Sequence, residues 1–133
     1  MIAVIDTSAL IRLFVPDGPL TQGLEEFLNG VERGRNTAIA PELLMVEAAN
    51  ALNKKRNSGE LSDEEGRHLL TDVLAMPIRF FPHRPLIPRS FELAREHDLT
   101  VYDALYLALA IEHGAGIFSA DKSILKVAGV LGL

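Results

Sequence analysis

The opening segment, Ile2–Ile5, is the sequence feature that most constrains the fold. It is wholly apolar and rich in β-branched side chains, which is typical of a strand buried on both faces, as in a parallel sheet. The strand ends at Asp6, and a helical pattern follows at once. A carboxylate at the carboxyl end of a central strand either points into the crevice where open α/β sheets bind ligands or simply caps the next helix.

The rest of the chain alternates between short apolar runs and helical patterns, which favours a parallel sheet. Further strands are predicted at residues 37–40, 78–81 and 117–118, and the tail, 127–133, is a candidate edge strand. Helices are predicted at residues 9–15, 20–32, 42–57, 62–75, 88–97 and 100–110. No linker, repeat or low-complexity segment interrupts this pattern, so we expect one α/β domain over residues 1–133, with a mostly parallel sheet of four to five strands.

Composition and charge exclude several classes of protein. Cysteine is absent, which excludes a disulfide framework and a thiolate metal site and fits a reducing compartment. The sequence has no signal-peptide pattern and no apolar run long enough to span a membrane, so we expect a cytoplasmic protein. The net charge is −5, whereas a protein that binds nucleic acid only by neutralising phosphates should be basic. Any nucleic-acid function therefore needs local basic residues or bound cations.

Four acidic residues interrupt apolar segments. Asp6 and Asp121 each follow an apolar strand, Glu47 lies within an apolar helix, and Asp103 lies near the start of the most apolar one. The structural alternatives are a helix cap at Asp6, a salt bridge at Glu47, and a capping-box pairing of Asp103 with Thr100. Because strand ends and helix starts gather at one edge of a doubly wound sheet, we expect the four carboxylates to converge. They would repel one another without a cation, and all-oxygen ligands select Mg²⁺ or Mn²⁺.

In their order along the chain, these acids and their neighbours resemble the PIN-domain ribonucleases, in particular the VapC-type toxins of toxin–antitoxin pairs. The matching segments are residues 4–8, 41–52, 102–108 and 119–122, and the resemblance covers essentially the whole chain. It implies a PIN-like three-layer α/β/α domain and an endoribonuclease in which a Mg²⁺- or Mn²⁺-activated water hydrolyses RNA phosphodiester bonds. The metal-binding acids of the family fall on Asp6, Glu47, Asp103 and Asp121.

The resemblance also implies residues that support these acids. The family's hydroxyl near the first acid falls on Ser8 or Thr7. Ser119 stands where many members have Thr two residues before the last acid, so a hydroxyl is retained there. Asn50 lies three residues after Glu47, shares a helix face with it, and is expected to support it.

The partners implied by the resemblance are an RNA substrate, a VapB-type antitoxin that blocks the site, and a second copy of the chain in a homodimer. RNA phosphates would need basic residues near the acids. Arg12, in the helix predicted after Asp6, and Lys54, on the same helical row as Glu47, are the candidates for that contact, and the alternative is that both are ordinary solvated charges.

Other functions fit the sequence less well. A haloacid-dehalogenase-like, metal-dependent phosphatase also begins with a strand that ends in Asp, but it needs a second Asp where Ser8 stands. A Ser-His-Asp hydrolase would need a Gly-x-Ser-x-Gly turn, which the chain lacks. A catalytically weak PIN-like module that acts by sequestering a partner would not need the four acids, so their presence favours a nuclease.

Overall fold

In the computed structural model, which describes residues 1–133, four strands form one fully parallel sheet. The strands are β1 (Ile2–Ile5), β2 (Thr37–Pro41), β3 (Ile78–Phe81) and β4 (Gly116–Phe118), in the order β3-β2-β1-β4. Val4 of β1 is aligned with Ile39 of β2 on one side and with Ile117 of β4 on the other. The apolar opening segment is therefore an internal strand, as its composition predicts.

Seven helices cover this sheet. They are α1 (Thr7–Ile11), α2 (Leu24–Glu32), α3 (Leu43–Asn57), α4 (Asp63–Leu74), α5 (Ile87–His97), α6 (Val101–His113) and α7 (Lys122–Leu131). The strand order reverses after β3, so right-handed crossovers place α1 to α4 on one face and α5 and α6 on the other. The packing agrees, since α1 and α4 contact α3 while α5 packs on α6. The three-layer α/β/α architecture is confirmed.

Helix α6 forms the centre of its layer. Its residues from Ala104 to Ala110 are all buried, and it packs against β1, β2 and β4. A helix that is apolar nearly all round must be enclosed by protein, and this one is. None of the seven helices is both long enough and apolar enough to cross a lipid bilayer.

The predicted edge strand in the tail is wrong, because residues 122–131 form α7 and the sheet has four strands. Ile124, Val127 and Ala128 are buried at the spacing of a helix, which gives the segment one apolar face. Gly132 ends the helix with a φ of 76°, in the left-handed region that glycine adopts at helix ends. Gly129 lies within the helix and Gly132 directly after it.

The first two helices are shorter than predicted. Helix α1 begins at Thr7 and ends at Ile11, whereas the prediction covered residues 9–15. Helix α2 begins at Leu24 because Gly23, with a φ of 82°, cannot continue a right-handed helix. A longer loop, residues 12–23, therefore follows α1.

The sheet order places a crevice beside β1. The chain leaves β1 into α1 on one face and leaves β4 into α7, which contacts α6 on the other face. Adjacent parallel strands whose connections diverge in this way form the usual ligand-binding crevice of open α/β sheets, at their carboxyl ends. Asp6 follows β1 at this edge, and Asp121 lies just after β4.

Candidate active site

A cleft of about 520 Å³ opens at the carboxyl ends of β1 and β4 and brings the four predicted acids together. Asp6 comes from the end of β1, Glu47 from α3, Asp103 from the first turn of α6, and Asp121 from the start of α7. A fifth acid, Asp17, enters from the loop after α1. The other polar side chains that line the cleft are Thr7, Ser8, Tyr106 and Arg12.

Asp6 is the most buried of these acids, at 2% exposed. It caps α1, since its Oδ1 accepts hydrogen bonds from the Ala9 backbone N (3.0 Å) and from Ser8 Oγ (2.7 Å). Its Oδ2 accepts a hydrogen bond from Ser119 Oγ at 2.5 Å. Burial raises the pKa of Asp6, and the charge of Asp121 adds to this, while the three hydrogen bonds oppose it. Asp6 therefore both caps α1 and lies in the cleft.

Two serines join the ends of β1 and β4. Ser8 Oγ, besides donating to Asp6, accepts a hydrogen bond from the Ala120 backbone N at 2.9 Å. Ser119 Oγ accepts one from the Asp121 backbone N at 3.0 Å. Both hydroxyls thus connect the first acid to the segment that carries the last one, and this fixes the distance between the two strand ends.

Glu47 is held by two hydroxyl groups. Its Oε1 accepts hydrogen bonds from Thr7 Oγ1 (2.8 Å) and from the Tyr106 hydroxyl (2.6 Å), which are themselves 2.8 Å apart. Burial and the hydrogen bond to Glu47 raise the pKa of Tyr106, and the charge of Glu47 adds to this, so its phenol keeps its proton and remains a donor. Oε2 of Glu47 has no hydrogen bond, and no lysine or arginine pairs with the carboxylate. The salt-bridge alternative for Glu47 is therefore wrong.

Asp103 forms only one of the two hydrogen bonds of a capping box with Thr100. Its backbone N donates to Thr100 Oγ1 at 3.1 Å, but the reciprocal bond, from the Thr100 backbone N to the Asp103 carboxylate, is not made. Burial raises the pKa of Asp103, as do the charges of Asp121, Glu47 and Asp6, with an opposing contribution from Thr100. The negative charges of the other three acids thus repel the Asp103 carboxylate.

Asp121 caps α7 with one oxygen. Its Oδ1 accepts hydrogen bonds from the backbone N (2.8 Å) and Oγ (2.6 Å) of Ser123 and, at 3.4 Å, from the Ile124 backbone N. Its Oδ2 has no hydrogen bond in the protein. The residue therefore has one oxygen that holds the helix and one that is free for a ligand.

The donor set of the cleft matches a hard divalent cation in kind. It is all oxygen, which suits Mg²⁺ or Mn²⁺. Burial and repulsion between the acids both raise the pKa of Asp103, and a cation would relieve the repulsion. The free oxygens of Glu47 and Asp121 are available as ligands. In the present conformation, however, no three acidic or histidine side chains lie close enough together to hold one ion. Coordination would therefore require side-chain rotation.

Arg12 is the only basic residue that lines this acidic cleft, and it forms no ion pair with any acid. Its Nη1 donates to the Pro19 carbonyl at 3.2 Å. Its guanidinium lies over Gly18, where a Cβ would approach Arg12 Cζ to 2.9 Å. Gly18 also has a φ of 155°, so glycine is needed there both for the backbone and for the arginine.

Two predicted residues do not reach the cleft. Asn50 is exposed and lines a separate cavity between α3 and α4. Lys54 is exposed and is not among the lining residues of the cleft. Residues three apart on a helix are offset by about 60°, and this offset carries Asn50 away from Glu47 and toward α4.

Two residues of the cleft are missing from the prediction. Tyr106 lies three residues after Asp103 on α6, a spacing that places both on one side of the helix, but its apolar neighbours indicate a core residue. Asp17 lies in a loop rich in proline and glycine, and no sequence signal marks it. It pairs with Lys55 of α3 at 2.5 Å, which fastens the loop to the helix that carries Glu47.

Comparison with known proteins identifies the family. The model of the PIN domain matches residues 3–130. Ribonuclease VapC3 of Pyrobaculum aerophilum is 28% identical over 91% of this chain and 90% of the relative. Ribonuclease VapC1 of Mycobacterium tuberculosis is 29% identical over 96% and 91%.

Solved structures show the same fold. PAE2754 from Pyrobaculum aerophilum matches with a TM-score of 0.70 and 25% identity, covering 93% of this chain and 77% of that one. VapC20 of Mycobacterium tuberculosis, a toxin that cleaves the sarcin-ricin loop, gives 0.67 at 13% identity, over 94% of both chains. VapBC2 of Rickettsia felis, bound to a promoter DNA fragment, gives 0.58 at 15% identity, over 88% and 85%. The chain therefore belongs to the PIN domain family.

Proposed function

We propose that this protein is a metal-dependent endoribonuclease of the VapC type that hydrolyses phosphodiester bonds in single-stranded or looped RNA. The observation that carries the proposal is the convergence of four carboxylates, from β1, α3, α6 and α7, in one cleft. Structural roles do not explain two of them, because Glu47 has no basic partner and Asp103 makes no reciprocal cap. The two curated relatives, which are named ribonuclease VapC, support the same activity.

Each carboxylate has a defined part in this mechanism. Asp6, Glu47, Asp103 and Asp121 would hold Mg²⁺ or Mn²⁺, which, when bound, polarises a phosphoryl oxygen, lowers the pKa of water and stabilises the leaving oxygen. The hydroxyls of Ser8 and Ser119 keep Asp6 in place, and those of Thr7 and Tyr106 hold one oxygen of Glu47 and leave the other free. Asp103 is the acid whose charge the other three oppose, so it gains most from a cation.

Arg12 is the residue that we expect to bind the RNA phosphate. It lies in the cleft with no acid partner, and its contact with the Pro19 carbonyl leaves most of its donors free. A guanidinium matches the geometry of a phosphate and binds it through paired hydrogen bonds. One cation beside five acids does not bind a polyanion unaided, which is why the proposal includes a metal ion.

An antitoxin of the VapB type and a second copy of the chain complete the proposed assembly. The names of the relatives and the VapBC2 complex among the similar structures support the antitoxin. The dimer is supported by large apolar side chains on the surface, including Phe91 and Val130, at 67% and 70% exposed. A dimeric mass in solution at micromolar concentration is the expected result, and a monomeric mass would exclude the homodimer.

Cleavage of a mixed pool of cellular RNA by the antitoxin-free protein tests the nuclease. The reaction is run with Mg²⁺, with Mn²⁺ and with EDTA, and an Asp103→Asn variant is compared with Asp72→Asn. Asp72 is exposed and lies on α4, away from the cleft, so its variant matches the chemical change without touching the site. We expect metal-dependent cleavage that Asp103→Asn abolishes and Asp72→Asn retains, with both variants folded by circular dichroism.

The other outcomes point elsewhere. Equal cleavage by the wild type and Asp103→Asn would assign the activity to a contaminant. Release of phosphate from a phosphomonoester, with RNA left intact, would favour a phosphatase. If folded wild-type protein attacks neither substrate, the result would favour a module that acts by sequestering a partner.

A further inference from the structure

A second cavity, of about 460 Å³, lies between α3 and α4 and has the opposite charge to the cleft. No carboxylate lines it, and its polar lining is made of Asn50, Asn53, Arg56 and Arg67. Helix α3 separates the two cavities. Glu47 and Ala51, four residues apart, face the acidic cleft, whereas the row formed by Ala49, Asn53 and Arg56 faces the second cavity.

Arg56 is fixed in this cavity by its surroundings. Its Nη2 donates to Asn53 Oδ1 at 2.8 Å, and its Nη1 lies 3.9 Å from Asp63, a long contact at the rim. Its side chain crosses α4 at the buried Gly66, where a Cβ would lie 2.8 Å from both Cγ and Cδ of the arginine. Glycine is the least favourable residue inside a helix after proline, yet α4 carries it where Arg56 passes. The guanidinium is thus held in place with donors to spare.

Two more polar groups of the cavity have no partner in the protein. Arg67, which follows Gly66 on α4, forms no ion pair, and its side chain makes no hydrogen bond. Asn50 is exposed, and its amide group likewise has no hydrogen bond. Two guanidinium groups and an amide with unused donors line one concave surface, and an anion is the ligand that satisfies them.

We propose that this surface, formed by Arg56 and Arg67 with Asn50, binds a phosphate group of the RNA chain at a distance from the bond that is cut. The proposal rests on the proposed nuclease function and names a contact that holds its substrate. The charge distribution supports it, because the chain carries −5 overall and its cleft is lined by five acids, so the RNA backbone needs cations outside the cleft. An RNA strand that leaves the cleft across α3 reaches these arginines directly.

Binding of a fluorescently labelled single-stranded RNA tests this contact. All proteins carry Asp103→Asn, so that the RNA is not cut, and binding is measured with Mg²⁺ at several salt concentrations. Arg67→Gln is compared with Arg33→Gln, which removes the same charge from an exposed position at the end of α2. Gly66→Ala is a further variant, because the added Cβ displaces Arg56 without removing any charge.

We expect Arg67→Gln and Gly66→Ala to weaken RNA binding about three- to tenfold, while Arg33→Gln changes it less than twofold. For Arg67→Gln, the dependence of log K on log salt should fall by about 0.7, the value for one lost phosphate contact on a single strand. Circular dichroism and thermal melting check that each variant is folded.

Three results would overturn the proposal. If Arg67→Gln and Arg33→Gln lower the affinity equally, only net charge matters, and if neither changes it, the arginines do not touch RNA. If Arg67→Gln weakens binding of a hexaglutamate peptide but not of RNA, the surface serves an acidic protein segment. Failure of the nuclease proposal is distinguished by the cleavage assay, in which the wild-type protein would then leave RNA intact with either metal ion.

Discussion

At the scale of single residues, Asp6 and Asp103 show two ways in which a carboxylate can be placed in a cleft. Burial raises the pKa of both. For Asp6 the next largest influences are hydrogen bonds, which favour its charged form and keep it in place. For Asp103 they are the charges of Asp121 and Glu47, which disfavour the charged form. In the metal-free protein, the charges of neighbouring acids therefore disfavour the ionised form of Asp103.

This difference predicts that Asp103→Asn stabilises the metal-free fold. A carboxylate whose pKa is raised on folding costs stability once the pH exceeds its unfolded value of 3.8, and the full cost is present above its folded value. In EDTA near pH 7, the variant should melt a few degrees above the wild type, and the difference should shrink toward about pH 4. Asp72→Asn, at an exposed site, should show no such gap. A variant that melts below the wild type near pH 7 would show that Asp103 is held by favourable contacts.

Tyr106 carries the second prediction at this scale. Tyr106→Phe removes the 2.6 Å hydrogen bond to Glu47 and leaves that partly buried carboxylate oxygen with Thr7 alone. Residues that orient metal ligands typically affect affinity or activity about 10- to 100-fold, and we expect a loss of RNA cleavage in that range. Loss of the bond should also lower the free energy of unfolding by about 1–3 kcal/mol.

The other tyrosine provides a matched control. Tyr102 lies on the same helix, is 62% exposed, and its hydroxyl has no hydrogen bond. Tyr102→Phe should cleave RNA at the wild-type rate and unfold at the same urea concentration as the wild type. Equal activity of Tyr106→Phe and Tyr102→Phe would mean that Thr7 alone suffices to orient Glu47.

At the scale of elements, α3 depends on an acceptor from another segment. Its N-cap, Glu42, already has helical backbone angles and makes no side-chain cap. Instead, the Leu43 backbone N donates to Nε2 of His83, just after β3, at 2.8 Å. Because the imidazole nitrogen accepts this bond, it must be unprotonated.

His83→Ala should therefore lower the free energy of unfolding by about 1 kcal/mol, the usual cost of losing a helix cap. Urea unfolding measures this loss. His68→Ala, at an exposed position on α4, serves as the control and should unfold as the wild type does. Because Glu47 lies one turn after Leu43, we also expect weaker RNA cleavage by His83→Ala. Equal unfolding midpoints for the two variants would show that water replaces the imidazole at no cost.

The strands were predictable because each is a short, mostly apolar run that separates helical patterns. The bounds of β2 and β4 differ from the prediction by one residue, and those of β1 and β3 agree. The structure of the tail could not be predicted in this way, because Gly129 and Gly132 weaken any local preference for a helix or a strand. The burial of Ile124 and Val127 against the core selects the helix. Local sequence determines a helix or strand where adjacent residues favour the same secondary structure, and tertiary packing decides where their preferences conflict.

The same division applies to the site. The four acids could be located because each stands at a break in an apolar pattern. Tyr106 could not, since its hydroxyl finds Glu47 and Thr7 only after α6 and α3 pack on opposite faces of the sheet. Asn50 was misplaced for a related reason: the packing of α4 on α3 decides which side of Glu47 it faces.

At the scale of the whole molecule, the topology explains why acids distant in sequence meet. The strand order β3-β2-β1-β4 makes β1 and β4 neighbours whose connections leave toward opposite faces. One helix from each layer, α3 and α6, therefore reaches the same sheet edge and adds its carboxylate to the two strand-end acids. The cleft thus gathers like charges in the metal-free protein, and a cation that binds only the folded state should stabilise the fold as a whole.

Thermal melting with added Mn²⁺ measures this stabilisation. A ligand that binds only the folded protein adds about 2.7 kcal/mol at a concentration of 100 times its Kd, so the wild type should melt several degrees higher with Mn²⁺ than with EDTA. Asp103→Asn should gain much less, because it has lost a ligand and has already lost the repulsion that the cation relieves. Asp72→Asn should follow the wild type, and NaCl at matched ionic strength should have no such effect, because screening alone does not coordinate the acids. Equal gains in the wild type and Asp103→Asn would place the ion outside the cleft, and the four carboxylates would then need another explanation.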